Sequence, residues 1–251
     1  MIFTSVALSE LARVVVAIAT FSYTAVEDWR KRDVDPRVWI PGICVGIALS
    51  AYEAISLGLG LLMMVSVAIS ILVVVAFAIA VFALRAMGGA DFLAMACLAS
   101  LMPYPFLFVR GILGQSLVPP LLHILFYSAL LSLAPVIANV MHNLKRKELL
   151  DELNLPKFKK IKFMLIAKVM TLDEFEKKKF YYPLYVPGIV DRSSFDIEED
   201  DRAWVEKLRS CGARIVVATW GVPTVTVICV AMLIYLLLGV SPIDAVIAAL
   251  R

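Results

Sequence analysis

Apolar residues run in long blocks along most of this chain, separated by short polar stretches, and block length carries the first inference. A helix rises 1.5 Å per residue, so about 20 apolar residues cross the hydrocarbon core of a bilayer. Six blocks come to about that length and predict transmembrane helices over approximately 2–26, 38–57, 59–84, 92–109, 117–141 and 215–238. The first has no basic start and no small-residue cleavage site, and it ends in charges, so it reads as a mature helix and not a signal peptide.

Between the fifth and sixth blocks the pattern changes. Residues 142–214 have ordinary soluble composition, with 16 basic and 13 acidic side chains in 73 residues. Within them, 161–171 is apolar and β-branched enough to predict a strand, and 198–210 predicts a short helix, with Glu198, Glu199 and Asp200 at its start, Lys207 and Arg209 in its last turn and Gly212 just beyond. Pro183, Pro187 and Gly188 bracket a turn or edge element. Beyond the last block, Ser241-Pro242-Ile243-Asp244 reads as a capped helix start leading into a short amphipathic tail. The fold class is therefore an all-α polytopic membrane protein of six transmembrane helices, with a small α+β cytoplasmic insertion before the last helix. Its parts are a five-helix membrane domain (1–141), a soluble insertion (142–214), and the sixth helix with its tail (215–251).

Lys and Arg near helix ends set the orientation. The loop after the first helix holds Arg30, Lys31, Arg32 and Arg37, the loop after the third holds Arg85, and the insertion holds sixteen of the chain's 24 basic residues. The other loops are nearly bare, with Arg110 between the fourth and fifth helices. The N- and C-termini are thus expected outside and the basic loops in the cytoplasm.

Composition agrees with a multi-pass protein of the cell membrane: 61% hydrophobic and 18% charged residues, with a mean hydropathy of +0.88. A net charge of +3 is too weak at this size to suggest a nucleic-acid partner. Cys44, Cys97, Cys211 and Cys229 fall singly, without a zinc or disulfide pattern. Neither His123 nor His142 has a second ligand at metal-binding spacing, so both read as structural and no metal or cofactor is expected.

Ionisable groups at membrane depth are functional candidates by default. Asp91, after Gly88-Gly89-Ala90, opens the fourth helix, and Asp28 closes the first just ahead of Arg30-Lys31-Arg32. On the orientation above both lie at the cytoplasmic face. Each also has a plainer reading: Asp91 fits an N-cap, and Asp28 fits a solvated acid among Glu27, Asp33 and Asp35. Glu10 and Arg13, three residues apart within the first helix, read as a structural ion pair. No Gly-x-Ser-x-Gly elbow and no zinc signature is present, which disfavours nucleophilic and metallohydrolytic mechanisms. Two carboxylates at one depth can hold one proton between them, the ionised one taking a proton from water while the protonated one polarises a peptide carbonyl. That is aspartic protease chemistry.

Asp28-Trp29-Arg30-Lys31-Arg32 after the first helix, Gly88-Gly89-Ala90-Asp91 at the start of the fourth, six spans and a polar insertion before the last together resemble the archaeal preflagellin and type IV prepilin peptidases. These are membrane aspartic proteases grouped with presenilins by a Gly-x-Gly-Asp motif. Here Ala90 stands at the motif's second glycine, and Leu93 stands where relatives often carry Lys. The resemblance implies Asp28 and Asp91 as the catalytic pair, with Gly88, Gly89 and Ala90 as motif backbone. It implies a pilin or archaellin precursor as substrate, cleaved at the cytoplasmic boundary to release a short basic leader. The absence of a Cys-x-x-Cys pair argues for proteolysis alone, without a methyltransferase activity. A proton-coupled transporter using both aspartates as relays, or a non-enzymatic membrane scaffold, is the alternative class; no inverted repeat supports the first.

Overall fold

The computed structural model describes residues 2–58, 60–83, 88–192, 195, 199 and 201–249. Arg85, Glu198 and Asp200, used in the sequence reading, lie outside the described residues. In chain order the elements are α1 (Ile2–Lys31), α2 (Trp39–Leu57), α3 (Leu61–Ala78), α4 (Gly89–Leu101), α5 (Pro120–Leu131), α6 (Leu133–Lys145), α7 (Lys147–Glu152) and α8 (Lys157–Ile166). There follow β1 (Lys168–Thr171), α9 (Leu172–Glu176), β2 (Tyr181–Val186), β3 (Val190–Asp191), α10 (Asp201–Ser210), β4 (Ile215–Trp220), α11 (Thr224–Leu238) and α12 (Pro242–Ala249). They divide into two compact units, one of Met1–Leu131 with Pro223–Arg251, the other of Ser132–Val222.

Among the described residues four stretches are long and apolar enough to cross a membrane: Phe3–Lys31, Pro36–Leu57, Leu61–Ala83 and Pro120–Lys145. A fifth is reached only by counting α11 and α12, bent by 60° at their junction, as one span. The six predicted spans are corrected at two places. The fourth, expected over 92–109, stops at Leu101 after 13 residues. Pro103 and Pro105 follow, and proline both removes a backbone donor and drives the preceding residue out of helical conformation. The sixth, expected over 215–238, is two elements: 215–220 is strand β4, and the helix begins only after Pro223.

In the first unit α1 packs on α2 and α11, α2 on α4, and α11 on α5. Phe21 meets Trp39 edge-on at 5.2 Å, inside a core that includes Leu98, Leu101, Ile124 and Met232. The α2–α4 approach depends on Gly42-x-x-x-Gly46, the small-residue spacing that lets membrane helices close up. A Cβ on Gly46 would lie 2.7 Å from the Ser100 backbone, and one on Gly42 would lie 2.7 Å from Cys97 Sγ.

Shortening α4 leaves the chain after Leu101 non-helical in apolar surroundings, where every backbone group needs an internal partner. Side chains from three helices supply them. Arg13 Nη1 donates to Leu101 O at 2.8 Å, Ser50 Oγ to Ser100 O at 3.0 Å and Ser70 Oγ to Pro103 O at 3.1 Å. Glu10 accepts the amides of Leu107 (2.7 Å), Phe108 (2.8 Å) and Val109 (3.3 Å). Further on, Ile112 and Leu113 donate to the carbonyls of Leu237 and Leu238 at the end of α11. Gly111 is required there, because a Cβ would lie 2.2 Å from the Leu238 backbone.

The expected Glu10–Arg13 pair is also corrected. Arg13 bonds Glu53 of α2 through Nε (2.9 Å to Oε1) and Nη2 (2.5 Å to Oε2), both side chains being fully buried. Tyr104 Oη donates to Glu53 Oε2 at 3.0 Å, and the rings of Tyr104 and Phe106 each lie 5.1 Å from the guanidinium. Glu10 is turned to the amides because three orphan donors hold a carboxylate better than one neighbouring cation already engaged by Glu53.

The second unit is an antiparallel sheet of order β1-β4-β2-β3 with helices on both faces. Ile215 and Val217 of β4 pack with Leu150, Phe163 and Leu184, while Val216 and Ala218 pack with Met170, Phe175 and Leu208. The strand expected over 161–171 is corrected to the end of helix α8 followed by β1 at Lys168–Thr171. Pro156 opens α8, and its straight-chain lysines, Met164 and Leu165 favour a helix over the few β-branched residues. β2 lies inside the sheet and not at an edge, with an irregular register between Pro183 and Tyr185, and Gly188 (φ +72°) follows Pro187 in the turn to β3. The helix near 198–210 is present as α10, with Gly212 (φ +69°) after it, and the tail is α12. There Ser241 and Asp244 cap reciprocally: Asp244 Oδ2 accepts from Ser241 N at 2.8 Å and Ser241 Oγ from Ile243 N at 3.3 Å.

Arg13→Met strands Glu53 in a buried site and is expected to destabilise the protein by about 3–5 kcal/mol, measured as unfolding in detergent. Adding Glu53→Leu should recover most of that loss. Singles as stable as the double variant would remove the pair from this anchoring role.

Candidate active site

Asp28 sits in the last turn of α1 and is 7% exposed. Its Oδ2 accepts from the backbone amide of Thr226 at 2.9 Å and lies 3.2 Å from Thr226 Oγ1, which also donates to Ala25 O at 2.9 Å. Thr226 is in the first turn of α11, where backbone amides have no partner within the helix. Asp28 thus occupies the positive end of α11 from a residue 198 positions away. Just beyond α1, Arg32 turns back in a left-handed conformation (φ +59°), with its guanidinium over the Trp29 ring. Its charge acts on Asp28.

Asp91 is half-buried at the third position of α4, with Gly88 as the capping residue. The N-cap expectation is thereby shifted by three residues: Asp91 Oδ2 accepts from Gly88 N at 3.2 Å, which is the acid half of a capping box whose other half a glycine cannot supply. Gly88 is extended (φ −78°, ψ 156°), so no left-handed backbone demands the glycines or excludes Ala90. Among the described residues, a Cβ on Gly89 would meet nothing within 4 Å.

Both sequence-selected aspartates belong to the first unit, on helices that pack on each other, and the charge on Asp28 acts on Asp91. No hydrogen bond joins the two carboxylates among the described residues. Each is held at the N-terminal end of a helix, Asp28 by α11 and Asp91 by its own α4. A helix end carries roughly half a positive charge, which favours an anion. Two such ends, with Arg32, favour ionised carboxylates, and repulsion between the two acids is what opposes ionising both.

His123, predicted structural, is fully buried, its Nδ1 2.7 Å from Ser241 Oγ and its ring stacked on Tyr235 at 5.1 Å. His142 Nε2 lies 2.9 Å from Val169 O. Among the described residues no group of three His, Cys, Asp or Glu side chains could hold a metal ion. Sequence reasoning missed Thr226, and no motif could have flagged it: an isolated Thr early in an apolar helix is common, and its role depends on which acid the fold brings to it.

Residues 15–137 match the model of the type IV leader peptidase family. The match includes both aspartates and the Gly88-Gly89-Ala90 run, and it bears out the resemblance read from those residues. Among curated proteins, none matches the chain.

Proposed function

From a chain whose residues 15–137 match the type IV leader peptidase family, we propose a membrane aspartic endopeptidase with Asp28 and Asp91 as its catalytic pair. Its substrate is a pilin-like or archaellin precursor, cut at the cytoplasmic boundary to release a short basic leader. The observation that carries the reading is that the matched segment brings two carboxylates into one unit, on helices that pack against each other. Among the described residues nothing lies within 4 Å of a Cβ at Gly89, which gives the precursor backbone room at the start of α4.

In the singly protonated pair, the ionised carboxylate removes a proton from a water whose oxygen attacks the scissile carbonyl carbon, while the other carboxyl gives its proton to the carbonyl oxygen. The tetrahedral diol that forms collapses as the C–N bond breaks. A proton passes to the leaving amine, a carboxylic acid is left on the other product, and the pair regains one proton. No metal or cofactor takes part. The excess of Lys and Arg in the loop after α1 and in the insertion supports a cytoplasmic side for both, with both termini outside.

The assay is cleavage of pilin and archaellin precursors from the same genome, co-expressed with the enzyme. Asp28→Asn and Asp91→Asn should each abolish cleavage while the protein still inserts, since an amide keeps the acceptor that Thr226 or Gly88 uses but cannot share a proton. Retained cleavage in either variant would sink the assignment.

The pH–rate profile should be bell-shaped, because acid protonates both carboxylates and base ionises both. Its two apparent pKa values belong to the pair. Chelators should leave the rate unchanged; loss with EDTA and recovery with zinc would refute the mechanism. Cysteines introduced in the Arg30-to-Arg37 loop and in the insertion should label only from the cytoplasm, and labelling from opposite sides would separate the insertion from the face assigned to the aspartates.

A further inference from the structure

The two carboxylates are not held alike, and the difference assigns their roles. We infer that Thr226 is a positioning residue that holds Asp28 as the ionised member of the pair, so that Asp28 takes the proton from water and Asp91 carries the shared proton. This rests on the proposed peptidase reading.

Asp28 Oδ2 faces two donors on one residue, the Thr226 amide at 2.9 Å and its hydroxyl at 3.2 Å. An amide can only donate. It therefore rewards an acceptor oxygen and rewards an ionised one most, since hydrogen bonds to a charged partner are the stronger kind. The hydroxyl is anchored on Ala25 O at 2.9 Å, one turn before Asp28 on α1. Thr226 thus pins the start of α11 to the end of α1, and its hydroxyl is placed to swing its one proton between that carbonyl and the carboxylate. Asp91 receives a single amide, at the longer distance of 3.2 Å. When one proton is shared, it resides on the less stabilised carboxylate. That is Asp91.

The charged groups around Asp28 agree. Arg32 lies beyond the end of α1, and Lys31 on α1 is engaged with Glu27 at 2.6 Å. From the packed helices, α4 brings Asp91 and α11 brings no charged side chain. The one carboxylate of α2, Glu53, is bonded to Arg13 farther back along α1. Among the described residues of these packed helices, the like charge brought toward Asp28 is that of its proposed partner, and the helix that caps Asp28 adds none.

The test reads kcat, KM and the pH profile of precursor cleavage for Thr226→Val and Thr226→Ser, each in the full-length protein in detergent or liposomes. Val keeps the amide and loses the hydroxyl. Its kcat should fall about tenfold with KM unchanged, and the acidic limb should move to higher pH, because the group that must be ionised has lost a donor. Ser should restore both. A Val variant with wild-type kcat and an unmoved acidic limb overturns the inference, as does movement of the basic limb alone, which would make Asp28 the proton carrier. Thr226→Ala substitutes for Val if the latter inserts poorly, with the same two readings. The outcomes also separate from those of the underlying assignment: cleavage retained by Asp28→Asn removes the peptidase pair itself, whereas its loss there alongside a silent Thr226→Val removes only the role of Thr226.

Discussion

The first unit depends on satisfying irregular backbone in an apolar setting. Where prolines end α4 at Leu101, Ser50 and Arg13 take the carbonyls of Ser100 and Leu101 in its last turn, and Ser70 and Glu10 take Pro103 O and the amides of Leu107 and Phe108 in the chain that follows. Arg13 is the centre of this arrangement. It ties α1 to α2 through Glu53, to the end of α4 through Leu101 O, and to the following segment through the faces of Tyr104 and Phe106. Desolvating a guanidinium and a carboxylate is costly, and the cost is offset because each nitrogen of the guanidinium and each oxygen of the Glu53 carboxylate has a partner. The network explains why three ionisable residues are retained where apolar ones would insert more readily.

That constraint reaches Asp91 through α4. The helix is pinned at its C-terminal end by Arg13 and Ser50 and along its flank by the close approach of Gly42 and Gly46, so its N-terminal end is set by contacts a dozen residues away. Asp28 is set separately, by α1 meeting α11 at Thr226. The contacts that hold each carboxylate are therefore separate, and no hydrogen bond joins the two among the described residues.

Much of the membrane unit was legible from block length, because a long apolar helix has no cheaper alternative in lipid. The errors fell where that rule loses its grip. The 215–220 stretch is buried on both faces of a sheet, and a strand covered on both sides has the same continuous apolar run as a membrane helix. Gly221 and Pro223 were the available clue to a break. For α4, Pro103 and Pro105 already stood inside the block, and hydropathy outweighed them. The Arg13–Glu53 pair was legible in principle, since an isolated Arg and an isolated Glu in adjacent spans need each other; the i,i+3 neighbour was chosen because it was nearer in sequence. For the site, chemistry selected the two acids, but their donors come from tertiary structure and left no pattern to read.

The two helix ends give the glycine-rich run a different meaning from the one its composition suggests. Its backbone is ordinary, with no positive φ at Gly88, so the run is not a strained turn. Gly88 supplies the amide that holds the Asp91 carboxylate, and a Cβ there would lie 3.7 Å from Asp91 Oδ2, an ordinary contact. Among the described residues a Cβ on Gly89 would meet nothing within 4 Å. Ala90 at the motif's second glycine costs little, because position 90 already lies in the first turn of α4, in a conformation any L-residue adopts.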